Sequence, residues 1–358
     1  MSRPRLLIIT SARNLGGGEI YLKNLLPTLE NDYDVTVLGP RFARDFFAAD
    51  TKTLWLPLFP AFLDKTLHRT HQLKKIYYKL FFSLLLRLDN YDLVNVQWFD
   101  GELIEGINKR PLVLTLQTGF LIPRQYDGYV VKVLNGLDKI ICVSQHAKEQ
   151  VVERGLSSKE CVVIYNGLNP NTFKVNTRPG RYITWVGRVE EADKNPRLFL
   201  EIAKLADRNK LPYQFRIVGD GSYLPVIKND LPENLEICGH VPPTNMAGIY
   251  NEASLLCMTS TSEGLPFVAV EAMASGVPVV ATAVGGLNEL LADDAGILID
   301  DFRPESFLMA FESVINSEDL YRSITVHARK KIEHEFSLAS MAEQTKAIYS
   351  AVISGAER

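Results

Sequence analysis

At 358 residues the chain exceeds one ordinary domain, and 46% hydrophobic against 23% charged residues excludes a disordered or fibrous protein. A formal net charge of −3 gives no basis for nucleic acid as a partner, yet the sign is uneven: a basic excess lies between Lys65 and Arg87 and the carboxyl-terminal half is acidic. Cys142, Cys161, Cys238 and Cys257 form no C-x-x-C, lie beside apolar runs without a His cluster, and read as buried free thiols of a reducing cytosol.

Strand-like and helix-like segments alternate along the chain. Residues 6–10 open it as a short apolar strand, too short for a signal peptide, and no stretch reaches the roughly 20 apolar residues of a membrane span. A helical pattern follows at 21–29, then strand-like runs at 35–38, 93–96, 112–116 and 139–143, with a basic helical stretch at 65–88 between them. A second strand series occupies 182–186, 215–218, 235–238, 255–258, 278–281 and 296–299. Runs apolar on both faces, separated by helices, predict parallel sheets covered on both sides, so the fold class is α/β with two Rossmann-like doubly wound domains. The turn cluster at 166–170 and the polar stretch after it place the boundary near residue 170, giving domains 1–170 and 171–339. The helical pattern in 340–358 is expected to pack back on the first domain. Two such domains facing each other would hold a ligand in the cleft between them.

Three clusters carry chemistry. Gly16, Gly17 and Gly18, with Glu19, stand between the first strand and a helix, where backbone amides and a helix amino terminus favour an anion. A turn without a ligand would also account for these glycines. The dinucleotide fingerprint G-x-G-x-x-G is absent and the second strand ends without an acid to hold a ribose, so a nicotinamide enzyme is disfavoured. Arg188 ends the strand at 182–186 and Lys194 follows; a forked guanidinium and a point charge suit a diphosphate, although solvated cations are common there. The third cluster is Ser260-Thr-Ser-Glu263-Gly-Leu-Pro-Phe-Val-Ala-Val-Glu271, closed by Gly276 and Pro278. Pro266 is expected as the first helical residue, with Glu263 in the loop before the helix, Glu271 on it, and free amides at Phe267 and Val268. Two carboxylates so spaced can accept the hydroxyls of a sugar and a ribose on either side of a diphosphate.

Residues 263–278 resemble the Glu-x7-Glu signature of the retaining glycosyltransferase family 4 (group 1), enzymes of the GT-B fold. Six further pieces agree in order: the glycines at 16–18, Ile164-Tyr-Asn166-Gly167, Val186-Gly187-Arg188 with Lys194, Val218-Gly219-Asp220-Gly221, Cys238-Gly239-His240-Val241 and Val284-Gly285-Gly286. The likeness spans nearly the whole chain and is clearest from about residue 138 to 299. It implies a metal-independent, retaining hexosyl transfer from a nucleotide sugar, uridine diphosphate sugar favoured over guanosine, to a glycan or lipid-linked acceptor, without a separate cofactor. By the same resemblance Arg188 and Lys194 hold the diphosphate, Glu263 the transferred sugar and Glu271 the ribose. Gly264, Leu265, Phe267 and Val268 then offer backbone groups, His240 borders the base, and Gly16, Gly17 and Gly18 close over phosphate or acceptor. One departure stands out: Gln117 in Thr115-Leu-Gln-Thr-Gly119 occupies the place where the family often has His, and an amide carries no proton or charge.

The stretch 65–87 interleaves Lys65, Arg69, Lys74, Lys75, Lys79 and Arg87 with Leu73, Ile76, Tyr77, Leu80, Phe81 and Leu84. That composition suits an anionic membrane surface, and equally a domain helix with its apolar face inward. The expected location is the cytoplasm, with peripheral contact on the inner face of the plasma membrane. Three rival functions stay open: a sugar-nucleotide epimerase, a phosphorylase with lysine-bound pyridoxal phosphate, and a silent nucleotide-sugar-binding regulatory partner.

Overall fold

A computed structural model of the chain describes residues 2–10, 16–40, 46–47, 51–55, 70–88, 90–107, 111–117, 126–156, 160–175 and 179–356. They form two compact units, one of Met1–Tyr165 with Met341–Arg358, the other of Asn166–Ser340. The break falls at the front edge of the turn cluster, ahead of the boundary expected near residue 170.

The first unit holds a seven-stranded parallel sheet of β1 (Arg5–Ile9), β2 (Asp34–Gly39), β3 (Lys52–Trp55), β4 (Leu93–Val96), β5 (Leu112–Leu116), β6 (Lys139–Cys142) and β7 (Cys161–Val163), in the order β3-β2-β1-β4-β5-β6-β7. The central strands are buried along their length, which is why they read as apolar runs without alternation. β3 and β7 were not among the expected strands, although Cys161-Val-Val163 is itself an apolar, β-branched run. Both are short edge strands, paired with β2 and β6. Helix α1 (Gly17–Leu29) buries Tyr21, Leu22, Leu25, Leu26 and Leu29, one face at helical spacing. Helix α2 (Thr70–Leu88) covers the basic stretch from residue 70, while 65–69 lie outside the described residues. Helix α5 (Leu338–Ala356) returns to this unit: Tyr349 is buried edge-on to Tyr33, with ring centroids 6.0 Å apart, and Lys346 pairs with Asp32 at 2.5 Å.

The second unit repeats the plan with β8 (Tyr182–Val186), β9 (Gln214–Val218), β10 (Leu235–Gly239), β11 (Ala253–Met258), β12 (Val279–Thr282) and β13 (Ile297–Ile299), all parallel, in the order β10-β9-β8-β11-β12-β13. Helix α3 (Pro196–Arg208) follows β8; Asn195, held left-handed at φ 46°, accepts the Leu198 N–H at 3.3 Å, and Pro196 takes the first position, where its missing N–H costs nothing. Helix α4 (Phe267–Ala274) lies between β11 and β12 and is buried on nearly every side. Cys142, Cys161 and Cys257 are buried free thiols as expected, but Cys238 is exposed. β10 is the sheet edge, and its alternation leaves Glu236 and Cys238 on the open face. No helix of the described residues is long and apolar enough to cross a membrane.

Candidate active site

Both sheets reverse their winding once, between β1 and β4 and between β8 and β11. The carboxyl ends of strands flanking such a point are where open parallel sheets bind ligands. In the second unit the chain leaves β8 as Gly187-Arg188 and β11 as Thr259-Ser260, so the cation pair and the Ser260–Glu271 segment both start from one crevice.

Long-range bonds set the geometry there. Thr259 Oγ1 lies 3.2 and 2.9 Å from the carbonyls of Lys194 and Asn195 and accepts the Trp185 indole N–H at 3.1 Å. The Thr261 N–H donates to the Asp193 carbonyl at 2.9 Å. The short helix Glu191–Lys194 is thereby tied to the exit of β11, and Lys194 Nζ reaches both oxygens of Glu263, at 2.7 and 2.8 Å. Ser260 Oγ donates to the same carboxylate at 2.6 Å, and Glu263 is only 8% exposed. An ammonium has three donors; two are engaged and one is left for a ligand. Arg188 is held more loosely: it donates to Asp193 at 2.8 Å and its side chain is 57% exposed.

The loop carrying Glu263 has little freedom. Gly285 sits at φ +55°, and a Cβ there would lie 1.9 Å from the Glu263 carbonyl oxygen. Asn166 Nδ2 donates to the Leu265 carbonyl at 2.8 Å, and Asn166 Oδ1 is buried without a partner. Pro266, expected as the first helical residue, is instead the N-cap of α4, with ψ 122° outside the helical range; its carbonyl already accepts from Ala269 and Val270 at 3.1 and 3.3 Å. No side chain caps α4, so its first turn presents the amides of Phe267 and Val268 without a side-chain acceptor. Gly276 at φ +72° ends the helix, the Val277 N–H returning to the Ala272 carbonyl at 2.9 Å and the Gly276 N–H to Met273 at 3.1 Å, a Schellman closure.

Glu271 lies on α4 and accepts the Tyr250 hydroxyl at 2.8 Å. Burial pushes its carboxyl up to about 7, against the opposing pull of that hydrogen bond. His240 follows β10 on the exposed surface and makes no hydrogen bond with the other named groups among the described residues. Nor among the described residues do three or more His, Cys, Asp or Glu side chains converge as metal ligands would.

In the first unit the corresponding crevice holds the glycine loop and Gln117. The Gly16 N–H donates to Glu19 at 2.9 Å, and Thr10 Oγ1 donates to the other Glu19 oxygen at 3.1 Å. Glu19 is buried, which raises its carboxyl above the usual range, with both hydrogen bonds opposing. A Cβ on Gly18 would stand 2.9 Å from the Trp98 ring, so close packing on the indole requires that glycine. Gln117 ends a row of amides: its Nε2 donates to Gln97 Oε1 at 3.1 Å, Gln97 Nε2 to Asn95 Oδ1, and Asn95 Nδ2 to Thr115 Oγ1 at 3.0 Å. Gln117 Oε1 and Trp98 Nε1 are buried without a hydrogen-bond partner.

The structure therefore joins Lys194 to Glu263 and places Arg188 and Glu271 in the same unit with partners of their own, Asp193 and Tyr250. Sequence reasoning missed Tyr250, Gln97 and Trp98, and it named Ser260 and Asn166 only as members of their motifs, without a role. The role of Ser260 could have been read from its place three residues before Glu263, and Gln97-Trp98 from their position directly after β4 at the winding reversal; Tyr250 carries no local signal, and nothing local ties Asn166 to the Leu265 carbonyl.

The Glycosyl transferases group 1 family model matches residues 171–331, and the Glycosyltransferase Family 4 model matches residues 15–172. An uncharacterized glycosyltransferase of Methanocaldococcus jannaschii is 30% identical over 258 residues, spanning 70% of this chain and 71% of its own. A D-inositol 3-phosphate glycosyltransferase of Segniliparus rotundus is 30% identical over 185 residues, 48% of this chain and 40% of its own. Among solved structures, Anabaena HepE in complex with UDP superposes with a TM-score of 0.79 at 18% identity, over 97% of this chain and 100% of that one.

Proposed function

The chain belongs to the group 1 glycosyltransferases and has the GT-B fold, and on that premise we propose that it is a retaining, metal-independent transferase that moves a hexosyl group from uridine diphosphate to a glycan or lipid-linked acceptor. The observation that carries this reading is the Lys194–Glu263–Ser260 cluster at the β8/β11 winding reversal. A cation with one unused donor beside a buried carboxylate offers adjoining places for phosphate and for sugar hydroxyls. HepE, of the same fold, has been solved with UDP and with UDP-glucose, which favours uridine as the base.

In this reading Arg188 and Lys194 take the diphosphate and the open amides of Phe267 and Val268 add donors to the same anion. Glu263 accepts hydroxyls of the transferred sugar, Glu271 those of the ribose, and Gln117 Oε1 a further sugar hydroxyl. Gly264 and Leu265 line the sugar, His240 borders the base, and Gly16, Gly17 and Gly18 approach phosphate or acceptor. The bond from the anomeric carbon to the β-phosphate oxygen breaks, and its electron pair leaves with the nucleoside diphosphate, whose charge the two cations stabilise. The acceptor oxygen bonds to the anomeric carbon on the same face and its proton passes to the departing phosphate oxygen, so the configuration is kept without a protein nucleophile.

Thermal-shift titration with a panel of nucleoside diphosphates and their sugars tests the donor. A ligand at a hundred times its Kd stabilises by about 2.7 kcal/mol, so uridine diphosphate and one of its sugars should raise Tm visibly. No response to any member of the panel would refute the donor assignment. The anomeric configuration of the product and the activity in a chelator test retention and metal independence separately.

A further inference from the structure

Helix α2 has two apolar faces, where its fold needs one. Tyr78 and Phe82 are buried in the core of the first unit, and Tyr77, Phe81 and Leu85 pack against that core. Those five residues account for its docking onto the domain. On the other side Ile76, Leu80 and Leu84 recur every fourth residue and are 54%, 68% and 62% exposed. At 1.5 Å per residue they form one stripe about 12 Å long. Single exposed aliphatic residues are ordinary on a protein surface, whereas three in a row on one helix mark a surface that something covers.

The charge of the helix says what. Between Thr70 and Leu88 it carries Lys74, Lys75, Lys79 and Arg87 and no acidic residue at all. Lys79, beside Leu80, is exposed. A second copy of this chain would bring a helix of the same positive charge against itself, so self-pairing through this face is opposed. A bilayer with anionic headgroups supplies both hydrocarbon for the stripe and negative charge for the lysines.

We propose that the outer face of α2, Ile76, Leu80 and Leu84 with Lys79, seats the protein on an anionic lipid surface. Its inner face stays in the core meanwhile, so docking needs no unfolding. The proposal stands on exposure and charge within the first unit and is independent of the donor assignment.

The test is co-sedimentation of the full chain with vesicles of phosphatidylglycerol and phosphatidylcholine, and with vesicles of phosphatidylcholine alone. The wild type should bind the anionic vesicles, less so at high salt, and leave the neutral ones. The triple variant Ile76→Ser, Leu80→Ser, Leu84→Ser should partition on the order of a hundredfold less, given the apolar area lost to the bilayer, with unchanged far-ultraviolet circular dichroism and Tm. Lys79→Glu should weaken binding to anionic vesicles alone. Wild-type partitioning of the triple variant, or no binding of wild type at low salt, overturns the proposal. So does a dimer that the triple variant abolishes, which assigns the face to a second copy, or equal stripe-dependent binding to polyglutamate, which assigns it to an acidic protein.

Discussion

Lys194→Met removes one positive charge and keeps most of the side chain's apolar stem. In the native pair Glu263 accepts two bonds from Lys194, at 2.7 and 2.8 Å, and one from Ser260 at 2.6 Å. The variant leaves the carboxylate with Ser260 alone, in a place where the Glu263 side chain is 6% exposed. Breaking a fully buried ion pair costs about 3–5 kcal/mol. Here the Lys194 side chain is 21% exposed, so some water reaches the site, and the Ser260 bond survives; both reduce the loss, to about 2–3 kcal/mol. For a unit the size of Asn166–Ser340 each kcal/mol moves Tm by about 2–4 °C, so the transition should fall by about 4–12 °C. Glu263→Gln should cost less, because the ammonium it releases can hydrate. The double variant should then be less destabilised than the two single losses together, with a coupling of about 1–3 kcal/mol. Urea denaturation of the four proteins, followed by circular dichroism, measures all of it. A Lys194→Met protein that unfolds at the wild-type urea concentration, with strictly additive losses, would mean that the pair is only a surface contact.

Arg188→Ala should separate activity from folding in the opposite way: its 57% exposed side chain contributes less than about 0.5 kcal/mol to stability, while sugar transfer falls at least tenfold if it meets the diphosphate; wild-type turnover in this variant would remove it from the site. Gly285→Ala must place a Cβ 1.9 Å from the Glu263 carbonyl at φ +55°, so it should lose more than about 2 kcal/mol on a urea curve, and a neutral result would show that the loop moves easily. Glu271 has a folded-state value near 7 against an ordinary 4.5, so its protonated form is favoured by folding. That contribution is full below about pH 4.5 and is lost as pH rises through about 7; between pH 5 and 8 the wild type should lose up to about 3 kcal/mol relative to Glu271→Gln. Parallel stability profiles for the two proteins would contradict the shift.

What was legible in the sequence follows from the range of the interactions involved. Strands such as β5, β8 and β11 are buried on both faces, so their own composition announces them. β3 and β7 are edge strands of four and three residues, too short for a local run to stand out from its surroundings even where, as at Cys161-Val-Val163, the residues are β-branched. The site divides the same way. Glu263, Glu271, Arg188 and Lys194 stand out by residue type and by the Gly and Pro frame around them. Their partners do not: Tyr250 is 21 residues from Glu271, and Asn166 is 99 residues from the Leu265 carbonyl that it holds. The glycines at 16–18 illustrate the converse, a conspicuous pattern with two causes. The Gly16 amide is engaged by Glu19 and Gly18 packs against Trp98, demands of the fold that a ligand-based reading of the motif leaves out.

The row of amides in the first unit bears on the departure at Gln117. It runs in one direction, from Gln117 Nε2 to Gln97, from Gln97 Nε2 to Asn95, and from Asn95 Nδ2 to Thr115 Oγ1 and the Val113 carbonyl. Turning any one amide over would set two oxygens or two NH2 groups face to face, and the Val113 carbonyl at the far end can only accept. The direction is therefore fixed by the backbone, and the atom left unpaired at residue 117 is an oxygen. That oxygen can accept a hydroxyl proton and can donate none, so a neutral polyol suits it where a phosphate would meet lone pair against lone pair. Residue 117 thus offers orientation without proton transfer. Under the proposed mechanism, where the departing phosphate takes the acceptor's proton, an amide at this place is asked only to position a hydroxyl.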